Sequence, residues 1–129
     1  MTKTHIWPSF RYRDARAAIQ FLHDAFGFEE VVVYPGEREG EVAHAELRWP
    51  EGGGIMLGST PDDETEPAPR RASVYVVAAD VDAIHDRAQR AGAEIIRPLR
   101  DEDYGSRTFM ARDPEGVIWS FGTYAGEGS

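Results

Sequence analysis

No cysteine occurs among the 129 residues, which removes disulfides, zinc–thiolate sites and thiol nucleophiles from consideration. Basic residues are scarce: 14 Lys and Arg stand against 23 Asp and Glu, for a formal net charge of −9. Phosphate binding depends on basic surface, so this balance argues against nucleic acid or an anionic membrane as a partner. Long apolar runs are also missing. Nothing approaches the length that spans a bilayer, and Met1–Pro8 lacks the apolar stretch of a secretion signal. A soluble cytoplasmic protein is the expectation. The length suits one domain (1–129), large enough to bury an ordinary core without cross-links.

What the chain does have is repetition. Trp49-Pro50-Glu51-Gly52, followed by Ile55-Met56-Leu57-Gly58, returns as Asp113-Pro114-Glu115-Gly116, followed by Trp119-Ser120-Phe121-Gly122. Upstream, Ala17-Ala18-Ile19 leading to Phe26-Gly27 returns as Asp82-Ala83-Ile84 leading to Ala91-Gly92. An offset of about 64 or 65 residues brings both blocks into line in the same order. A repeat of that length present only twice is a duplicated supersecondary module inside one domain, not a solenoid.

Each module reads as strand, helix, three strands. In the first (about 5–59), alternation over residues 5–12 sets Ile6, Phe10 and Tyr12 against His5, Trp7, Ser9 and Arg11. Asp14 is placed to cap a helix running to about Phe26, with Gly27 at its stop. Strands follow over 29–34, 41–49 and 54–59, punctuated by Pro35-Gly36 and Pro50-Glu51-Gly52-Gly53. The acidic, proline-containing stretch within 60–71 predicts a solvated linker. The second module (about 72–124) repeats the order: a strand over 72–77, Asp80 capping a helix from about Val81 to Ala91 closed by Gly92, then strands near 95–98, 106–113 and 117–124.

The duplication, the acidic helix starts, the glycine after each helix and the Asp113-Pro114-Glu115-Gly116-x-x-Trp119-Ser120-Phe121 segment together resemble the vicinal oxygen chelate superfamily, and within it the small glyoxalase and bleomycin-resistance members. The resemblance implies an α+β fold: two tandem βαβββ modules form an open, cupped mixed sheet with helices on the convex side and a ligand cavity on the concave side. It also implies a homodimer. Metal-dependent members hold their ion with His and Glu from the first and last strand of each module. Carried over by spacing, those positions are Trp7, Ala72 or Ser73, Met56 and Ser120, and none offers imidazole or carboxylate. The overlay sets Met56 on Ser120 and Trp7 on Ala72. No metal and no cofactor are therefore expected.

The candidate ligand-binding residues are Trp7, Ser9, Arg11, His44, Glu46, Met56, Arg107 and Ser120. Trp7 offers a flat apolar surface, or is plain core. Met56 supplies an adaptable wall and Ser120 one hydrogen bond. His44 and Glu46 share a strand face, as cavity residues or as a solvated pair. Arg107 either reaches an anionic ligand or covers the rim with its stem. Gly54 and Gly58 leave room for a ligand or serve strand-end geometry. Trp119 and Phe121, opposite in parity to Ser120, belong to the core, and His23 and His85 to helix surfaces. These residues point to sequestration of an amphiphilic, partly aromatic small molecule in a dimer. The competing expectation is a metal-dependent lyase, isomerase or dioxygenase in which His5, His44 and Glu46 converge; a third is metal-free proton transfer by His44 or Glu46.

Overall fold

In the computed structural model, residues 6–60 and 73–126 are described; His5, Ala72 and the acidic stretch of 61–69 lie outside them. Strand β1 (Ser9–Tyr12) leads into helix α1 (Ala15–Phe21), which continues directly into a wider π-type turn over Leu22–Phe26. Strands β2 (Glu29–Pro35), β3 (Val42–Arg48) and β4 (Gly54–Ser59) complete the first module. The second contains β5 (Ser73–Val77), α2 (Val81–Arg90), β6 (Glu94–Asp101), β7 (Arg107–Arg112) and β8 (Ile118–Gly122). The order strand–helix–three strands, twice, is as the alternation and turn residues predict.

The helices start for matching reasons. Asp14 accepts from the Ala17 amide at 3.0 Å and Asp80 from the Ala83 amide at 3.1 Å, each satisfying a first-turn N–H that has no partner within the helix. Gly27 ends the first helix in the left-handed region, at φ 93°. The first strand is shorter than its alternation predicts. Ile6 precedes the ladder and is 85% exposed, so it does not join Phe10 and Tyr12 in the core.

The strands form two four-stranded mixed sheets, ordered β1-β4-β3-β2 and β5-β8-β7-β6. In each, the first strand runs parallel to the last and the remaining pairs are antiparallel. The inner, helix-side faces and the helices share one apolar core. Trp119, fully buried, lies 5.9, 5.7 and 5.5 Å from the rings of Phe10, Phe26 and Phe28, so its neighbours come from the other module. The core assignment of Trp119 and Phe121 by parity therefore holds.

Polar contacts reinforce this union reciprocally. The Glu115 carboxylate of the second module accepts from the Arg13 and Asp14 amides, each at 2.8 Å, just before α1. Its repeat partner Glu51 accepts from the Ala79 amide at 3.0 Å, just before α2. At the head of the same repeated turns, Trp49 donates to the Val77 carbonyl at 3.0 Å and Asp113 accepts from the Tyr12 hydroxyl at 2.6 Å. Arg87 of α2 completes the join by donating to the Asp24 and His23 carbonyls at the end of the first helix. The repeated Pro-Glu-Gly turn is thus a clasp: each module's turn holds the other's helix start.

Candidate functional site

With the inner faces committed to the core, the outer face of each sheet is where binding chemistry can be placed. Register sets which residues sit side by side. In the first sheet Ser9 lies opposite Met56, Met56 opposite Glu46, and Glu46 opposite Val32. In the second sheet Tyr75 lies opposite Ser120, Ser120 opposite Met110, and Met110 opposite Arg97. These rows are pseudo-equivalent, because Met56 and Ser120 head corresponding positions in β4 and β8. They also refine the overlay of the first strands. Ser9 corresponds to Tyr75, so the counterpart of Trp7 is Ser73, not Ala72.

The structure brings five of the eight expected residues, Ser9, Arg11, His44, Glu46 and Met56, onto one surface. Ser9 and Arg11 are exposed on β1, while His44, Glu46 and Met56 are half-buried. His44 Nε2 and Glu46 Oε2 lie 2.9 Å apart, and Tyr34 stacks on the imidazole with ring centroids 6.2 Å apart and planes 24° from parallel. Ser120 occupies the equivalent face of the second sheet.

Trp7 lies before β1 and covers the start of β4: a side chain at Gly54 would meet its ring at 2.8 Å. Gly58 is similarly covered by the Ala43 carbonyl, with the Arg11 guanidinium close by; Gly122, its repeat partner, lies beneath the Tyr75 ring. These glycines thus make room for the protein's own groups.

Arg107 stands apart. Its parity is that of the buried Phe109, and its guanidinium is held by Asp82 of α2 at 2.7 Å and by Asp101 at 3.2 Å. These hydrogen bonds, led by the one to Asp82, raise its pKa and keep Asp82 below the usual carboxylate range. Arg107 is thus engaged in ion pairs within its own module. His23 and His85 also serve structure: His23 Nδ1 meets the Phe28 carbonyl at 2.8 Å, and the His85 ring sits edge-on to Phe109.

The donor set does not suit a hard divalent cation. The four corresponding positions offer an indole (Trp7), a thioether (Met56) and two hydroxyls (Ser73, Ser120). Among the described residues no group of three or more His, Asp or Glu side chains converges as a metal site.

Sequence reasoning missed Tyr34, Tyr75, Met110 and Arg97. Tyr75 was within reach, since it is two positions beyond Ser73 as Ser9 is two beyond Trp7. Arg97 was not, because β6 departs from simple alternation: its pairing with β7 shifts on both sides of that residue.

The comparisons with known proteins agree with this architecture. Residues 5–121 match the Glyoxalase/Bleomycin resistance protein/Dioxygenase superfamily. Uncharacterized protein Rv0887c of Mycobacterium tuberculosis (strain ATCC 25618 / H37Rv) is 33% identical over 117 residues, covering 84% of this chain and 68% of that protein. The crystal structure of TioX from Micromonospora sp. ML1 superposes with a TM-score of 0.77 at 31% identity, over 93% of this chain and 98% of that one. A glyoxalase I mutant from Zea mays shares the fold, with a TM-score of 0.76 at 16% identity, over 95% of this chain and 46% of that chain. By its duplicated βαβββ modules, its paired mixed sheets and a match across nearly its whole length, the chain belongs to the Glyoxalase/Bleomycin resistance protein/Dioxygenase superfamily.

Proposed function

We propose that this protein is a metal-free small-molecule binder that sequesters an amphiphilic, partly aromatic ligand against the outer faces of its sheets, in a cavity completed by a second copy. The observation that carries the reading is the make-up of the two equivalent rows. Ser9–Met56–Glu46–Val32 and Tyr75–Ser120–Met110–Arg97 combine soft apolar walls with a few polar groups, the usual lining of a small-molecule site. Indole, thioether and hydroxyl at the positions where metal-dependent relatives keep imidazole and carboxylate support binding without a metal.

Native mass spectrometry of gently purified protein tests this directly. The expected spectrum shows a dimer carrying an organic molecule and no stoichiometric metal. A transition metal at one per chain would overturn the proposal, and would favour the metal-dependent lyase, isomerase or dioxygenase reading in which His5 joins His44 and Glu46. In that case replacing His44 and Glu46 with alanine should abolish metal retention.

A second reading has one specific observation behind it. The contact between His44 Nε2 and Glu46 Oε2 fixes the imidazole tautomer and leaves Nδ1 without a hydrogen-bond partner among the described residues, the arrangement of an oriented general base. It calls for a ligand with an exchangeable proton within reach of His44. Deuterium incorporation into the co-purified molecule, lost in His44→Ala, would support it.

A further inference from the structure

The outer face of the second sheet holds an arginine whose hydrogen-bonding capacity is only partly used. Arg97 donates through Nη2 to Glu102 Oε2 at 3.3 Å and to Thr108 Oγ1 at 3.1 Å. The same Glu102 oxygen also receives the Thr108 hydroxyl at 2.9 Å and Arg100 Nε at 3.1 Å. One carboxylate oxygen therefore serves two guanidinium groups, while the neighbouring Asp101 is taken up by Arg107. The Arg100 hydrogen bond, followed by that of Thr108, holds Glu102 below the usual carboxylate range, so it stays ionised and cannot itself donate.

Arg97 Nε is buried and has no hydrogen-bond partner among the described residues. A buried donor of a charged group is costly to leave without an acceptor. The backbone directs this group: the ladder between β6 and β7 shifts both before and after Arg97, and bulges of this kind re-aim side chains beside functional sites. Arg97 pairs across the ladder with Met110, and Met110 with Ser120. The Ser120 hydroxyl likewise has no hydrogen-bond partner among the described residues. Tyr75, next in the row, is anchored by its hydroxyl to the Tyr124 carbonyl at 2.6 Å, which fixes its ring.

We infer that Arg97, with Ser120, is an acceptor-binding subsite that selects ligands carrying an anionic group, a carboxylate or sulfonate, next to an aromatic body. The inference deepens the binding function proposed above and rests on it. Net charge would point to a cationic ligand; Arg97 Nη1, which donates to no described residue, points the other way. Nη2 is taken by Glu102 and Thr108 and Nε is buried, so the anion meets Arg97 Nη1 and the Ser120 hydroxyl, while Met110 and the Tyr75 ring meet the apolar part. No bond is made or broken.

Fluorescence titration with two probes tests this. Anilinonaphthalene sulfonate carries the anion, and N-phenylnaphthylamine is a close uncharged relative. The wild-type protein should bind the sulfonate about tenfold or more tightly than the neutral probe, as expected for charge-assisted hydrogen bonds. Arg97→Gln should abolish that preference, and an unchanged circular-dichroism spectrum and thermal midpoint would report that the variant is folded. Arg97→Lys, a point charge without the fork, should restore only part of it. Arg90→Gln, which removes the same charge from the exposed end of α2, should keep it. Absence of the preference in wild type, or its survival in Arg97→Gln, would overturn the inference while leaving the binding function standing. Failure of both probes to bind would remove both.

Discussion

Tyr12 and Asp113 form the most constrained polar contact between the modules. The Asp113 carboxylate is buried and accepts from the Tyr12 hydroxyl, the Trp119 indole and the Val117 and Glu115 amides. Burial above all, and then the Asp113 charge, raise the Tyr12 pKa well above its ordinary value of 10.0. The sign of the linkage follows. The folded state holds the phenolic proton more tightly than the unfolded state, so this stabilisation is complete below about pH 10 and is lost as pH rises toward the folded-state pKa. Ultraviolet titration should show Tyr12 ionising only as the protein unfolds. Tyr12→Phe should be less stable at neutral pH by about 1–3 kcal/mol, because Asp113 loses a donor, and its alkaline loss of stability should be smaller. Ionisation of Tyr12 in the folded state would contradict this. Alternation alone assigns Tyr12 to the core; nothing in the local sequence says that its hydroxyl meets a carboxylate 101 residues away.

Among the elements, the repeated turns make the clearest prediction. Glu115 caps the entry to α1 and Glu51 the entry to α2, each across the module boundary. Glu115→Ala and Glu51→Ala should each cost about 1 kcal/mol in urea unfolding, the usual effect of losing a helix-start cap. The double variant should lose roughly the sum if the clasps act independently. An unchanged midpoint in both single variants would show the clasps to be incidental. Helix starts at Asp14 and Asp80, and stops at Gly27 and Gly92, were legible in the sequence because capping is local chemistry. The π-type turn of Leu22–Phe26 was not, nor were the shifts around Arg97, since both depart from simple periodicity.

At the scale of the whole molecule, the inner faces of both sheets meet in one core around Trp119, so neither module has a complete apolar interior of its own. Thermal unfolding should therefore be a single transition with equal calorimetric and van't Hoff enthalpies; two resolved transitions would mean the modules fold separately. The sequence by itself determined the number and order of elements, the duplication and the superfamily, because alternation, caps and turn residues act over a few neighbouring positions. It also set Met56 and Ser120 at corresponding positions of the two modules. Only the tertiary structure decided that Arg107 serves α2 while Arg97 joins the outer row beside Met110, that His44 meets Glu46, and that the paired glycines are filled by the protein itself. Those outcomes depend on strand register and on which module faces which, and residues far apart in the chain set both together.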